Sequence, residues 1–482
     1  MGPTPASVEG LQAIGFQAWL NGQLALPVTQ ITAPDGYVNY ALNQDRDLEQ
    51  RAWRYHRDEL YRLFLSAPDQ LRARVAWVLS NFVVVSTNKV QPYGGTEHMN
   101  TLMRHAFGSY GELLKAVTRN PAMGFYLDND QNSVWGLNEN YGRELMQLFV
   151  VGLVQLNLDG SVKRDANGAP LETYTQEDVI AATRALTGWS WAEPDQQRPA
   201  ANFANYGKPM EAVWADRHDR GAKTVMGRTI PAGQDAEQDL DSLVDILVTH
   251  PNAAPFVSLR LIQGLTASAP SPDYLRRVSE AFVRSKGDLS QVVSAILLDP
   301  EARSGDVPGA GPAGFGRIKE PHLVFVSMLR GLECTTTPPS RWNPQESWVA
   351  WQQTPLNAPS VFNFYPPNHV APVSGLQAPE QKMLTSKEFA ERLGTYAYNL
   401  ENVQGMEAAG CRLGVLHDAA LRSTQDLLAL IGERYFRGAM PATVQQALMG
   451  SVQDLWNKSD PKVLTAALIA TSTLAPSFGV TR

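Results

Sequence analysis

The sequence predicts an all-α protein: a large multi-helix globular domain that carries a small β-hairpin and a long ordered loop. Ten segments repeat apolar residues at helical spacing, whereas runs that alternate apolar and polar residues are scarce. Apolar residues make up 44% of the 482 residues and charged residues 18%, a balance typical of a globular chain that buries a sizeable core.

The predicted helices begin at recognisable start signals. The motifs SAPD at 66–69, TQED at 175–178 and SPD at 271–273 each place a capping residue before an apolar run. Proline or glycine follows most of the helix ends, and three or four more helices are expected between Ser386 and the end. The ten helices are predicted at 7–23, 47–66, 69–87, 97–118, 138–151, 176–187, 236–249, 255–267, 274–285 and 289–298.

Two segments depart from this helical pattern. Between residues 154 and 174, apolar and polar residues alternate around Asp-Gly at 159–160 and Asn-Gly at 167–168, so a small β-hairpin is expected. Residues 335–380 are rich in proline, but they carry more aromatic area than a disordered linker, and we expect an ordered loop packed over the body. The aromatic residues of this loop are Trp342, Trp348, Trp351, Phe362, Phe364 and Tyr365.

The chain is expected to divide at a Gly/Pro-rich break over residues 303–317. A main helical body would cover residues 1–302, and a C-terminal helical part would cover residues 303–482 and contain the ordered loop. We expect these two parts to pack as one unit.

Charge and cysteine content exclude several classes of protein. The net charge is −7 and no run of Lys or Arg occurs, which argues against nucleic acid as a partner. No apolar run reaches the roughly 18 residues that a membrane span requires. With two cysteines, Cys334 and Cys411, the chain is neither a disulfide-rich scaffold nor a Cys-based zinc protein, while a single disulfide and two free thiols both stay open.

The segment 137–149, which reads LNENYGRELMQLF, is the leading candidate for a functional site because its first half is unusually polar. Glu139 and Arg143 lie four residues apart, which predicts an intrahelical salt bridge. Glu139 and Glu144 point about 140° apart at roughly 100° per residue, so we expect only one of them, Glu144, to face a cleft. Asn140 and Tyr141 lie beside them. Such a group of inward polar residues requires either a function or a demanding ion-pair network.

A second candidate lies at the start of the helix predicted at 176–187. Thr175 and Asp178 approximate a capping box, which leaves Glu177 to face either solvent or a site. Arg184 follows Glu177 by seven residues on the same helical face and is expected above it.

The motif HDRGAKT at 218–224 is the better chemical candidate, because it falls on a predicted loop. Adjacent His218 and Asp219 suit a metal site or a proton-transfer pair, whereas the alternative is a surface loop in which Asp219 caps a turn. Lys223-Thr224 resembles a phosphate loop, but the two glycine positions hold Arg217 and Ala222, so nucleotide binding is disfavoured. The histidine spacing disfavours a zinc hydrolase, and a divalent cation held by carboxylates stays open.

Eight separated motifs of the chain resemble those of a known family. Together they are similar to the bacterial family catalogued as "domain of unknown function 1800". The resemblance implies a predominantly helical, exported protein, periplasmic or extracellular, that is often encoded beside another exported family. The first residues carry no signal peptide, and an earlier segment is expected to have been removed. The motifs are RVAWVLS at 74–80, HAFG at 105–108, NPAMGFY at 120–126, ENYGRELMQLF at 139–149, YTQED at 174–178, LTGW at 186–189, HDRGAKT at 218–224 and APSVFNF at 358–364.

The leading functional hypothesis is an exported enzyme that hydrolyses an extracellular glycan by carboxylate acid/base chemistry. Glu144 would act together with Glu177 or Glu139, and His218 and Asp219 would assist or bind a metal. The residues expected to bind substrate are Arg143, Tyr141, Asn140, Trp135, Trp189, Trp191 and Lys223.

Two alternatives belong to other functional classes. In the first, the chain is a non-catalytic secreted binding or assembly partner of the co-encoded exported protein, and its charged motifs are structural ion-pair networks. The second and weaker alternative is a cofactor-binding redox protein, with the cofactor unknown. Satisfied ion pairs without a cavity would favour the assembly partner, and an open cleft lined by the carboxylates would favour the enzyme.

Overall fold

The computed structural model describes all residues except 39–45, 194–201, 213–214, 307–313, 340–352, 373, 439 and 482. Helices dominate this described part, and its named strands form two small antiparallel sheets, so the predicted all-α class is confirmed. Fifteen described α-helices lie before residue 305: α1 (Pro5–Ile14), α2 (Phe16–Ala25), α3 (Asp35–Val38), α4 (Arg46–Ser66), α5 (Gln70–Ser80), α6 (Pro92–His105), α7 (Tyr110–Thr118), α8 (Pro121–Tyr126), α9 (Glu139–Glu144), α10 (Gln176–Ala185), α11 (Ala236–Val248), α12 (Ala253–Leu265), α13 (Pro272–Ser285), α14 (Leu289–Leu298) and α15 (Pro300–Ser304).

The C-terminal part contains more helices than expected. Seven described helices lie from Ser386 onward, where three or four were expected, because several are short and separated by tight turns. None of the described helices is long and apolar enough to cross a membrane. The helices of this part are α16 (Pro321–Gly331), α17 (Ser386–Leu400), α18 (Val403–Ala408), α19 (Gly414–Arg422), α20 (Thr424–Phe436), α21 (Ala442–Ser451), α22 (Pro461–Ser472) and α23 (Pro476–Gly479).

Two predicted helices are each divided in the structure. The segment 7–23 breaks at Gly15, whose φ of 79° ends α1 and starts α2. The segment 97–118 breaks between α6 and α7, where Ser109 caps the second helix by accepting a hydrogen bond from the Glu112 N–H. Apolar periodicity continues across both breaks and does not distinguish two neighbouring helices from one.

The strands are short and form two separate sheets. β1 (Lys223–Val225) pairs with β2 (Arg228–Ile230), and β3 (Arg317–Ile318) pairs with β4 (Val480–Thr481). The β1–β2 hairpin was not predicted, because its turn residues, Met226 and Gly227, lack the usual Asn-Gly or Asp-Gly signature. β3–β4 joins the start of the C-terminal part to the end of the chain.

The hairpin predicted between residues 154 and 174 is present in a more elaborate form. Isolated bridges join Val154 to Glu172, Leu156 to Val162, and Arg164 to Pro170, so three short segments form two linked hairpins. Gly160 and Gly168 adopt φ values of 81° and 82° at the two turns, as the Asp-Gly and Asn-Gly signals require.

Apolar side chains from both predicted parts share one core. Phe64 on α4 and Trp77 on α5 pack against His322 on α16, and Tyr61 packs against Phe325. Each of these five side chains is almost fully buried. Contacts of this kind cross the 302/303 boundary and bind the C-terminal helices to the main body.

The described portion of the long loop packs against the main body. The Thr87 N–H donates to the Leu356 carbonyl at 2.7 Å, and the Ser86 hydroxyl donates to the Ala358 carbonyl at 2.6 Å. Trp342, Trp348 and Trp351 lie outside the described residues.

Cys334 and Cys411 form a disulfide, which resolves the choice that the sequence left open.

Candidate functional site

The polar start of α9 ties this helix to α10. The predicted intrahelical pair is confirmed, because Arg143 Nη2 donates to Glu139 Oε2 at 2.8 Å. Gln176 bridges the same two groups, donating to Glu139 at 2.8 Å and accepting from Arg143 at 2.9 Å. The side chains of Arg143 and Glu139 are 39% and 36% exposed, so this is a partly solvated surface network. The Glu139 carboxylate therefore already accepts hydrogen bonds from Arg143 and Gln176.

Glu144 differs from Glu139. It is the last residue of α9, directly before a π-helix at Leu145–Val150, and π-helical turns occur frequently at functional sites. Its Oε2 atom is buried and has no hydrogen-bond partner among the described residues. Burial raises the pKa of Glu144, and the positive charge of Arg143 only partly opposes this effect. Glu144 thus has an unpaired carboxyl oxygen and holds its proton more readily than a solvated glutamate does.

Two tyrosines lie near Glu144. The pKa of Tyr126 is raised to about 12, mainly by burial and further by the Glu144 charge. The pKa of Tyr174 is raised by the same two causes, although Arg143 opposes the shift. The Tyr174 hydroxyl is buried without a hydrogen-bond partner in the described part of the chain. An unpaired carboxyl oxygen and an unpaired hydroxyl therefore lie in one neighbourhood.

Helix α10 begins at the predicted capping box. Thr175 accepts from the Asp178 N–H, while Asp178 accepts from the Thr175 N–H at 2.8 Å and from the Met226 N–H at 2.6 Å. Glu177 is exposed to solvent, and Arg184 pairs with Asp219. The ionic partner of Arg184 therefore comes from a distant segment and not from its own helix.

The close packing of α9 on α10 depends on a glycine. A Cβ atom added at Gly142 would lie 2.7 Å from Thr183 Oγ1 and 3.3 Å from the Thr183 backbone nitrogen. Any larger residue would push the two helices apart. The spacing of this pair is therefore fixed by Gly142.

The HDRGAKT motif begins on a loop and continues into β1. Arg184 binds Asp219 through two hydrogen bonds, at 2.7 and 3.1 Å, and the Gly221 N–H donates to Asp219 at 2.8 Å. Burial alone would raise the pKa of Asp219, but the donors from Arg184 and Gly221 and the charge of Lys223 lower it overall. Asp219 is thus held as a carboxylate, and its Oδ1 also caps the turn to Gly221.

Lys223 and Asp239 form a fully buried ion pair. The Lys223 side chain is 0% exposed, and its Nζ lies 2.5 Å from Asp239 Oδ2 on α11. Lys223 also donates to the Asp219 and Gly221 carbonyls, so its three protons are all used. Such a lysine is unavailable to a substrate, contrary to the substrate-binding role expected for it.

His218 lies beside this group of charged residues. Its Nδ1 lies 2.9 Å from the Thr187 carbonyl and 3.2 Å from the Thr187 hydroxyl. Its Nε2 lies 3.2 Å from Asp239 Oδ2 but is not aligned for a hydrogen bond, and Asp239 Oδ1 has no partner among the described residues. We name Arg184, His218, Asp219, Lys223 and Asp239 the ion-pair brace.

The remaining predicted substrate-binding residues divide into buried and exposed groups. Tyr141 is buried, with its hydroxyl 2.7 Å from Thr118 Oγ1, and Trp189 and Trp191 are also buried. These three side chains pack in the core and are not accessible to a substrate. Asn140 is exposed, and Trp135 is 67% exposed, so both can meet a partner from solvent.

A buried aspartate that was not predicted as a site residue contacts Trp191. Asp130 is buried and accepts a hydrogen bond from Trp191 Nε1 at 2.7 Å, while its Oδ1 has no partner in the described chain. Burial raises the pKa of Asp130 to about 6, although the Trp191 hydrogen bond lowers it. Asp130 lies in a short 3₁₀-helix with no motif around it, so no local signal pointed to it.

The structure places part of the candidates on α9 and α10 and the HDRGAKT motif beside α10, without joining them into one centre. Gln176 and Arg184, which carry the two networks, are eight residues apart on α10, a rise of about 12 Å along its axis. A cavity of 760 Å³ elsewhere in the molecule is lined by none of the predicted site residues. Within the described residues, no three His, Cys, Asp or Glu side chains are arranged to hold a metal ion.

Comparisons with known proteins give a family and no activity. A family model described as "Protein of unknown function (DUF1800)" matches residues 1–479. No curated protein matches the chain, and no solved structure matches it. The matched region covers essentially the whole sequence and agrees with the resemblance drawn from the eight motifs. The chain therefore belongs to the DUF1800 family of proteins of unknown function.

Proposed function

We propose that this chain is an exported, non-catalytic binding or assembly protein that contacts its co-encoded exported partner through the loop at residues 133–137. The observation that carries the proposal is an exposed tryptophan on a firmly held loop. Trp135 is 67% exposed, and Val134 and Leu137 beside it are 40% and 43% exposed. Exposed apolar residues grouped in this way mark interaction surfaces.

Backbone hydrogen bonds hold this loop against the elements that carry the ion-pair brace. The Val134 N–H donates to the Arg217 carbonyl at 2.8 Å, and the Arg217 guanidinium lies 5.7 Å from the Trp135 ring centre. Asn132 donates to the Thr183 carbonyl at 2.9 Å and accepts from the Gly188 N–H through its own carbonyl at 3.0 Å. The loop is therefore ordered before any partner arrives, which reduces the entropy lost on binding.

The chemistry of the loop favours a protein partner. Tryptophan and arginine are the residues that most often dominate protein–protein binding energy, and here Val134 and Leu137 are exposed in the same loop. A sugar platform would instead pair its aromatic ring with several hydrogen-bonding side chains. The buried Lys223–Asp239 pair and the paired Asp219 further support a structural role for the charged motifs.

Export is supported by the disulfide between Cys334 and Cys411. Disulfides persist in the periplasm and outside the cell, and they are rare in reducing cytoplasm. The protein and its partner would then meet in an oxidising compartment.

The test is binding of the purified co-encoded exported protein to W135A and to W456A, measured by isothermal titration calorimetry. Trp456 is 80% exposed and lies outside the loop, so it is the matched control. We expect W135A to weaken binding by about 30-fold or more, since hot-spot tryptophans contribute about 2 kcal/mol or more, and W456A to bind as the wild type does. Equal binding by both variants, or binding of a polysaccharide in place of the protein, would overturn the proposal.

Glu144 favours a second candidate function, the hydrolysis of an extracellular glycan. A general acid must hold a proton near neutral pH, and burial raises the pKa of Glu144 while leaving Oε2 unpaired. The test is release of reducing sugar from a panel of bacterial and plant polysaccharides. If Glu144 is the acid, E144Q loses activity by about 100-fold or more, on the order expected for a general acid, while E139Q keeps it. Absence of activity in the wild type across the panel removes this candidate.

A further inference from the structure

A cavity of 760 Å³ lies on the side of the molecule formed by α1, α2, α16 and α20, away from the predicted site residues. Its volume is in the range of about 300–1,000 Å³ typical of small-molecule sites. Aromatic side chains of its wall come from Phe16, Trp19, Phe315 and Phe478. The cavity can therefore hold a ligand with a substantial apolar body.

Positive charge is concentrated on the same wall. Two of the basic residues there already have acidic partners, since Arg303 pairs with Asp306 and Arg434 lies 3.6 Å from Glu333. The other basic residues of the wall are Arg437, which follows α20, and three residues that carry the argument: Arg74 on α5, Lys319 two residues before α16, and Arg330 on α16.

These three cations form no ion pair in the described part of the chain. Arg74 donates to the Gly264 carbonyl at 2.7 Å, and Arg330 donates to the carbonyls of Gly2, at 2.6 Å, and of Leu65. Lys319 Nζ lies 4.1 Å from the centre of the Phe478 ring. Their partners are neutral carbonyls and one aromatic ring, so their charges are not neutralised.

The buried carboxylate that follows Lys319 in the chain is already engaged. Glu320 lies 3.2 Å from Arg317 Nη2, accepts from Trp77 Nε1 at 2.7 Å, and accepts from the Tyr365 hydroxyl. Its charge acts on Arg74, but burial still lowers the pKa of Arg74 to about 9. Glu320 therefore does not supply the missing counter-ion.

The cations also act on one another. The pKa of Lys319 is lowered to about 7 by burial and by the positive charges of Arg437 and Arg74. Burial lowers the pKa of Arg330 to about 10. Placing cations together where Arg74 and Arg330 are 9% and 6% exposed is unfavourable without an anion, and a bound anion would relieve this repulsion.

We propose that this cavity binds a small organic phosphate or sulfate ester, whose tetrahedral oxyanion is held by Arg74, Lys319 and Arg330 and whose apolar part contacts the aromatic wall. Three cations from separate parts of the chain suit a group with several acceptor oxygens better than a single carboxylate. Binding at this site is independent of the proposed assembly function, because the cavity wall and the loop at 133–137 share no residue.

The test is titration of the full chain with phenyl phosphate, phenyl sulfate and phenol, followed by isothermal titration calorimetry. We expect at least one of the two esters to bind and phenol to bind much more weakly, and the preferred ester identifies the oxyanion. The variant K319M should weaken ester binding about tenfold or more, since a charge-assisted hydrogen bond is lost. K319R should restore binding, because it keeps the charge.

Lys387 supplies the matched control, since its side chain is 77% exposed on α17 and lies outside the cavity. K387M should bind the ester as the wild type does. Unfolding midpoints in urea show whether each variant is folded. The proposal is overturned if neither ester binds the wild type at millimolar concentration, if sodium chloride competes as well as inorganic phosphate does, or if folded K319M and K387M bind equally.

Discussion

The ion-pair brace and the cation-lined cavity place charged side chains in opposite situations. In the brace, Lys223 meets Asp239 at 2.5 Å and Arg184 meets Asp219 at 2.7 Å. In the cavity, Arg74 and Lys319 meet only a carbonyl and an aromatic ring within the described structure. The brace has the stronger sequence motif, but its charges are already used. The difference is that the brace pairs its own charges, whereas the cavity leaves cations without an ion pair among the described residues, and this is why we place the proposed ligand in the cavity.

The largest expected effect comes from breaking the buried pair of the brace. D239N leaves the Lys223 charge buried without a carboxylate, and we expect a loss of about 3–5 kcal/mol in the free energy of unfolding. The measurement is urea unfolding followed by circular dichroism.

The matched control is D245N on the same helix. Asp245 pairs with Arg228 at 2.7 Å, but both side chains are more than half exposed, so the expected loss is only about 0–1 kcal/mol. Similar losses for D239N and D245N would contradict the contrast between a buried brace and ordinary surface pairs.

The second effect is the loss of stability on breaking the disulfide of Cys334, which lies in the wall of the cavity. Its disulfide with Cys411 closes a loop with a sequence separation of 77 residues, and removing it should cost about 2–4 kcal/mol. The measurement is the thermal unfolding midpoint with and without dithiothreitol. We expect reductant to lower the midpoint of the wild type and to leave the C334S/C411S double variant unchanged. Thiol titration confirms that the disulfide has been reduced. If the wild-type midpoint is then unchanged, the disulfide does not stabilise the fold.

The third effect is a dependence of the free energy of unfolding on pH, which Asp130 is expected to cause. Burial raises the pKa of Asp130 to about 6, so the folded state binds this proton more tightly than the unfolded state does. Stability should therefore fall as the pH rises through the window from about 4 to about 6, with a total contribution of about 3 kcal/mol.

The measurement is urea unfolding of the wild type and D130N across this pH window. D130N should lack the fall, and D128N, which changes a partly exposed neighbour paired with Lys89, should retain it. Parallel pH profiles for the wild type and D130N would show that Asp130 ionises normally.

Features set by neighbouring residues were predictable from the sequence. The Glu139–Arg143 pair and the Thr175–Asp178 capping box follow from spacings of four and three residues, and both are present. The helical class follows from periodicity over many segments. These features depend on local geometry, which one helix or one turn determines.

Features that join distant segments were not predictable. Lys223 lies on β1, whereas its partner Asp239 lies on α11 and has no motif around it. Arg184 pairs with Asp219, which lies 35 residues away. The cavity collects Arg74, Lys319 and Arg330 from positions far apart in the sequence. Only Arg74 lies within a recognised motif, RVAWVLS, and nothing in that motif indicates a cavity. Tertiary packing creates these sites, and one sequence does not reveal it.

The central claim is that ligand-binding capacity lies in the cation-lined cavity and not in the ion-pair brace. Amide hydrogen exchange followed by mass spectrometry, with and without phenyl phosphate, tests both halves of this claim at once. We predict slower exchange in α16 (Pro321–Gly331) and in the residues around Lys319, with no change over residues 215–225 or in α9 and α10. Protection of residues 215–225 or of α9 and α10, with α16 unaffected, would contradict the claim.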